Sequence, residues 1–159
     1  MKKLLFVVVV VGLVTFFGCG KNAPDTPACI NKSIYADTSA LLKYASDSSI
    51  HTTWDSSGLY YQILNSGNST KPIFSSNITV NYVGRLMSGI VFDSASNTNL
   101  NGAGLYRLLT GWQIGLPKIG VGGRIILLIP SGNAYGCTGY GPVPPDAPLY
   151  FDVQLLQVN

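Results

Sequence analysis

A chain of 159 residues is the size of one ordinary domain. Its net charge of +3 falls to +1 without Lys2 and Lys3, and its basic residues are scattered without a stripe, which argues against nucleic-acid binding. Glutamate is absent and His51 is the one histidine, so a Ser-His-Asp triad or a His-rich metal site is hard to build.

In chain order, Lys2 and Lys3 precede an almost unbroken apolar run from Leu4 to Phe17, followed by Gly18-Cys19. The run is short of the ~20 apolar residues that cross a bilayer, so residues 1–18 read as a secretory signal. A cysteine directly after a small residue suggests a bacterial lipoprotein signal, with Cys19 the lipidated first residue of the mature chain. An uncleaved anchor and a simple cleaved signal are the alternatives. Residues 19–36 are polar and turn-rich, with Pro24 and Pro27, and read as a tether. Export permits a disulfide between Cys29 and Cys137, with two unpaired thiols as the alternative.

Residues 37–57 read as a short helical extension. Asp37-Thr38-Ser39 supplies a cap, Leu41, Leu42, Tyr44 and Ala45 an apolar face, and Asp47-Ser48-Ser49 a stop. The expectation is that this piece packs against a sheet. From Gly58 the period changes to two: Leu59–Leu64 and Ile78–Leu86 read as strands, Ser88-Gly89 as a hairpin turn, and Ile90–Asp93 as the returning strand. Thr110–Ile119 is the other helix. A strand runs from Gly122-Gly123 to Ile129 and stops at Pro130. A proline- and glycine-rich loop then leads to a last strand, Leu149–Val158. Many strands around one short helix predict an α+β domain with a curved antiparallel sheet.

The segments that carry chemistry are Val80-Asn81-Tyr82-Val83-Gly84-Arg85-Leu86, Val91-Phe92-Asp93-Ser94, Thr110-Gly111-Trp112-Gln113-Ile114-Gly115-Leu116, Ala134-Tyr135-Gly136 and the closing stretch from Val143 to Leu156. In this order they resemble the FKBP-type peptidyl-prolyl isomerases, over about residues 58–159. The resemblance implies a sheet wrapped around the short helix, with an apolar proline pocket between them. It places substrate-binding residues at Tyr82, Phe92, Asp93, Leu109, Trp112, Tyr135, Val143 and Phe151. Of these, Asp93, Tyr135, Phe92 and Trp112 are its catalytic candidates. Trp112 is the expected floor under the proline ring, and Tyr82, Phe92 and Phe151 the walls. The Tyr135 hydroxyl and the Leu109 N–H are the expected donors to substrate, Val143 an aliphatic wall, and Asp93 the pocket carboxylate, which needs a hydrogen-bond donor such as a tyrosine.

Between Ser94 and Gly111 the chain is shorter than the family pattern, and either Leu105 or Tyr106 stands in for an expected aromatic. The implied activity is cis–trans isomerisation of X-Pro bonds in unfolded or exported polypeptides, with no cofactor and no metal. Macrolide inhibitors such as tacrolimus or rapamycin are expected to compete for the groove. A non-catalytic holdase or binding lipoprotein on the same fold is the alternative. The expected state is a monomer held by its N-terminal lipid in the bacterial cell envelope. Gly20 after Cys19 points to the outer membrane, facing the periplasm.

Overall fold

A computed structural model describes residues 28–159 apart from 101 and 103. The signal segment and Cys19 lie outside the described residues. Helix α1 spans Thr38–Asp47, and the strands are β1 Thr53–Trp54, β2 Tyr60–Asn65, β3 Ile78–Leu86, β4 Val91–Asn99, β5 Arg124–Ile129 and β6 Leu149–Val158. Helix α2, Thr110–Gly115, follows a single 3-10 turn at Leu105–Arg107 and runs into another at Leu116–Lys118. The six strands form one antiparallel sheet in the order β1-β2-β5-β6-β3-β4. This is the curved α+β sheet that the sequence predicts.

β5 explains how the two helices share the sheet. Its residues Ile125 to Ile129 are all buried, the mark of a strand covered on both faces. Ile125, Leu127 and Ile129 join Trp112 and Leu116 in the main core, on the α2 side. Ile126 and Leu128 point the other way and pack with Leu41 and Ala45 of α1. β6 alternates instead, with Leu149, Phe151, Val153 and Leu155 buried toward α2. Two glycines on α2 let the helix lie close to the sheet: a Cβ at Gly111 would fall 2.6 Å from Ile129, and one at Gly115 2.4 Å from Leu127.

Several expectations need correction. Leu42 is exposed, not part of the apolar face of α1, because it lies about 100° around the helix from the buried Leu41. Asp37 occupies the N-cap position of α1, yet its side chain does not cap. It is buried and accepts from the Ser131 N–H at 2.7 Å and the Ser131 hydroxyl at 2.6 Å. Two donors meeting in one dry site outcompete the local helix N–H groups. Residues 53–54, read as part of a helical extension, form β1, which pairs with β2 in the register Thr53↔Tyr61 and Trp54↔Tyr60. The turn between them ends at Gly58, whose φ of +87° suits glycine. β4 continues past Asp93 to Asn99, although its sequence is rich in Ser and Asn. An edge strand held by backbone bonds to β3 needs no continuous apolar face.

Residues 29–36, read as tether, lie against the domain. Cys29 and Cys137 form a disulfide with Cα atoms 5.7 Å apart. The Asn31 side chain accepts from the Cys137 N–H at 3.0 Å, and Lys32 pairs with Asp146 at 3.7 Å. Among the described residues no helix is long and apolar enough to cross a membrane.

Candidate active site

A cleft of about 300 Å³ opens between the sheet and α2. Its floor is Trp112, only 5% exposed, placed on the first turn of α2 and aimed at the sheet. Three aromatic rings meet there. Trp112 stands edge-on to Phe151 at 5.3 Å and to Tyr82 at 5.3 Å, and Tyr82 lies 6.2 Å from Phe151. Edge-to-face contacts suit the ring quadrupoles and fix the orientation of each ring. Tyr82 and Phe151 come from neighbouring strands, two positions off direct pairing, since Tyr82 is opposite Val153 and Phe151 opposite Gly84.

Gly84 is central to this arrangement. A Cβ there would sit 2.7 Å from both the Phe151 and Phe92 rings. The missing side chain lets Phe92 pack edge-on against Phe151 at 5.5 Å. Phe92 therefore buttresses Phe151 and does not line the cleft, contrary to the expectation that it forms a wall.

Asp93, next along β4, is exposed at the mouth. It accepts a hydrogen bond from the Tyr82 hydroxyl at 2.7 Å. Burial, then the hydrogen bond to Asp93, raises the Tyr82 phenol above its ordinary range. Burial, then the Asp93 charge, also raises Tyr135. Both phenols stay protonated at neutral pH and can donate. Tyr135 is free to do so toward a ligand, since its hydroxyl reaches no protein acceptor among the described residues, as is also true of the Leu109 N–H. Leu109 lines the cleft at the N-cap of α2, with extended backbone (φ −52°, ψ 141°). The loop before it is stapled by Gln113, whose amide nitrogen donates to the Tyr106 carbonyl at 3.0 Å and to the Leu108 carbonyl at 2.7 Å.

Six of the eight expected residues thus line one cleft: Tyr82, Asp93, Leu109, Trp112, Tyr135 and Phe151. Val143 does not. It is 3% exposed and belongs to the core. Its paired backbone bonds with Tyr140, 2.9 Å each way, turn the loop and set Tyr140 on the rim, where that ring stacks on Tyr135 at 5.2 Å. For the missing aromatic, neither Leu105 nor Tyr106 serves: Leu105 is fully buried, Tyr106 faces outward, and Leu100 lines the cleft instead. Sequence reasoning also missed Arg107, Leu108 and Tyr140 as lining residues. Their segments carry irregular backbone, where no periodicity reports which way a side chain points.

The sheet, the short helix and the aromatic cleft between them, with one carboxylate held by a tyrosine, form the type of domain that the sequence resemblance implies. The chain matches the model of the family described as FKBP-type peptidyl-prolyl cis-trans isomerase over residues 69–156, and it belongs to that family. It is 40% identical over 121 residues to the FKBP-type peptidyl-prolyl cis-trans isomerase FkpA of Escherichia coli K12, covering 74% of this chain and 43% of that protein. The chain thus spans less than half of the FkpA relatives it matches. FK506-binding protein 1 of Debaryomyces hansenii is 42% identical over 86 residues, 52% of this chain and 77% of that protein. The crystal structure of a peptidyl-prolyl cis-trans isomerase from Pseudomonas syringae superposes with a TM-score of 0.65 at 27% identity, covering 82% of this chain and 98% of that one.

Proposed function

We propose that this protein catalyses cis–trans isomerisation at X-Pro bonds of unfolded exported polypeptides. The observation that carries the reading is the Tyr82–Asp93 hydrogen bond at the mouth of a cleft floored by Trp112. The amide resists rotation by ~18–20 kcal/mol because of resonance. On twisting, resonance is lost and the carbonyl becomes less dipolar. Aromatic walls favour that state over the planar, dipolar ground state, which is differential binding. In this reading Trp112 seats the proline ring, and Tyr82 and Phe151 flank the twisting carbonyl. The Tyr135 hydroxyl and the Leu109 N–H hold substrate carbonyls, and Phe92 and Val143 support the walls from behind. Holding the ring and the carbonyl separately keeps the substrate in a twist-ready shape. The cycle needs no nucleophile, so every step is conformational. Macrolides of the tacrolimus and rapamycin class compete for the same cleft.

The proposal extends to location. Lys2-Lys3, the apolar run and Gly18-Cys19 support a lipoprotein with Cys19 acylated, anchored in the cell envelope and working as a monomer facing the periplasm. Cys19→Ser then leaves an unprocessed, unacylated precursor, and a mature product of unchanged mass contradicts the reading. Refolding of a protein limited by proline isomerisation tests the activity. Catalytic amounts should speed it. Suppressed aggregation without any rate increase would replace the isomerase with a holdase.

A further inference from the structure

Arg107 stands out among the cations. Of the described lysines and arginines, Lys32, Lys43, Lys118 and Arg124 form ion pairs, while Lys71 and Arg85 donate to the carbonyls of Lys118 and Gly89. The Arg107 side chain alone reaches no protein acceptor among the described residues. It nevertheless lines the cleft. Its side chain is exposed at the rim, with the guanidinium carbon 5.7 Å from the centre of the Tyr106 ring. Tyr106 in turn packs on Phe74 at 5.7 Å, and its N–H donates to the Phe74 carbonyl at 3.0 Å. The Gln113 staple fixes the backbone on either side of Arg107. A planar cation on an aromatic platform keeps its donor edge free for a carboxylate.

None of the described acids forms an ion pair with it. Asp47, Asp55, Asp146 and Asp152 are ion-paired, Asp37 is engaged by Ser131, and Asp93 by Tyr82. A carboxylate entering the cleft is drawn to Arg107 and repelled by Asp93, so the two charges also give the groove a direction. We propose that Arg107 selects substrates that carry an acidic side chain beside the proline. This rests on the isomerase reading and adds a substrate class to it.

The test uses the full chain in detergent and three peptides that differ only in having Glu, Gln or Lys at a position flanking one X-Pro bond, made for both flanks. Isomerisation is followed by magnetisation exchange. At low salt, kcat/KM for Glu should exceed that for Lys about two- to fivefold on one flank, the scale of an exposed ion pair. Arg107→Gln should bring the ratio to one or below, since Asp93 remains, Arg107→Glu should push it further below one, and 0.5 M salt should erase the preference of the unaltered protein, given a Debye length of roughly 4 Å. Arg107→Lys should keep part of the preference. A ratio near one in the unaltered protein, or one that Arg107→Gln does not move, overturns the proposal. The Gln peptide reports the isomerase reading separately. If no peptide is turned over, that reading falls, and the same charge ratio is read from peptide affinities, where a value near one overturns the role of Arg107 as well.

Discussion

At Asp93 a carboxylate stands at the mouth of an otherwise apolar cleft, and the Tyr82 hydroxyl satisfies one of its oxygens. The side chain is exposed, so its loss costs the fold little while removing the one anion of the site. Asp93→Val should lower kcat/KM on the order of tenfold, the scale of one charge-assisted hydrogen bond of ~1.5 kcal/mol, with an unchanged urea midpoint. An unaltered rate would remove Asp93 from the catalytic set. Gly84 presents the opposite balance. Its added methyl would meet two rings at 2.7 Å, both part of the edge-on cluster beneath the site. Gly84→Ala should cost ~1–3 kcal/mol in denaturant melts through overpacking, and should weaken turnover by tilting Phe151. The position of Asp93 at the cleft was legible in the sequence because Phe-Asp-Ser sits in order among the aromatics. The Gly84 contribution was not, because the need for a missing Cβ arises only when β3, β4 and β6 are side by side.

At the scale of elements, three of the contacts that fasten the N-terminal segment to the sheet domain stand out. The Cys29–Cys137 bridge closes a sequence separation of 108 residues, which the chain-entropy model values at ~4–5 kcal/mol. It anchors next to Tyr135, on the loop that forms one side of the cleft. Unfolded, unreduced protein from an oxidising compartment should leave Cys29 and Cys137 unlabelled by thiol reagents, whereas two labelled cysteines would contradict the bridge. The Asp37–Ser131 contact is the second point. The third is the pair of Asp55, in the β1–β2 turn, with Lys118 at 2.8 Å, just after α2. That hydrogen bond, aided by the Ser57 N–H, lowers the Asp55 carboxyl from 3.8 to about 2. A carboxylate with a depressed pKa stabilises the fold above its unfolded value and loses that contribution as it protonates. Asp55→Asn should therefore cost about 1 kcal/mol at pH 7, and the difference from the unaltered protein should vanish between pH 4 and pH 2 in acid-melting curves. Helix α1, α2 and the strands β2, β3, β5 and β6 were legible because their apolar periods persist over whole elements. The two-residue β1 and the polar half of β4 were not, because both are strands by pairing rather than by composition.

On the scale of the whole molecule, one sheet serves two purposes. The face toward α2 carries the aromatic cleft, and the face toward α1 closes a second, smaller core around Ile126 and Leu128. The continuous apolar run of β5 matches its burial on both faces. The expectation that the N-terminal helix packs against the sheet is met on that second face, where Leu41 and Ala45 lie on Ile126 and Leu128. The order of the motifs identified six of the lining residues. The irregular stretches, where Leu100, Arg107 and Tyr140 sit, left their orientation to the folded structure. The central claim is that this cleft lowers the barrier to rotation about an X-Pro bond, and exchange between the cis and trans signals of a short apolar-X-Pro peptide tests it most directly. Catalytic amounts of the full chain should speed that exchange without changing the cis fraction, and tacrolimus should suppress the effect. Exchange at the uncatalysed rate, on several such peptides and with folded protein, would contradict it.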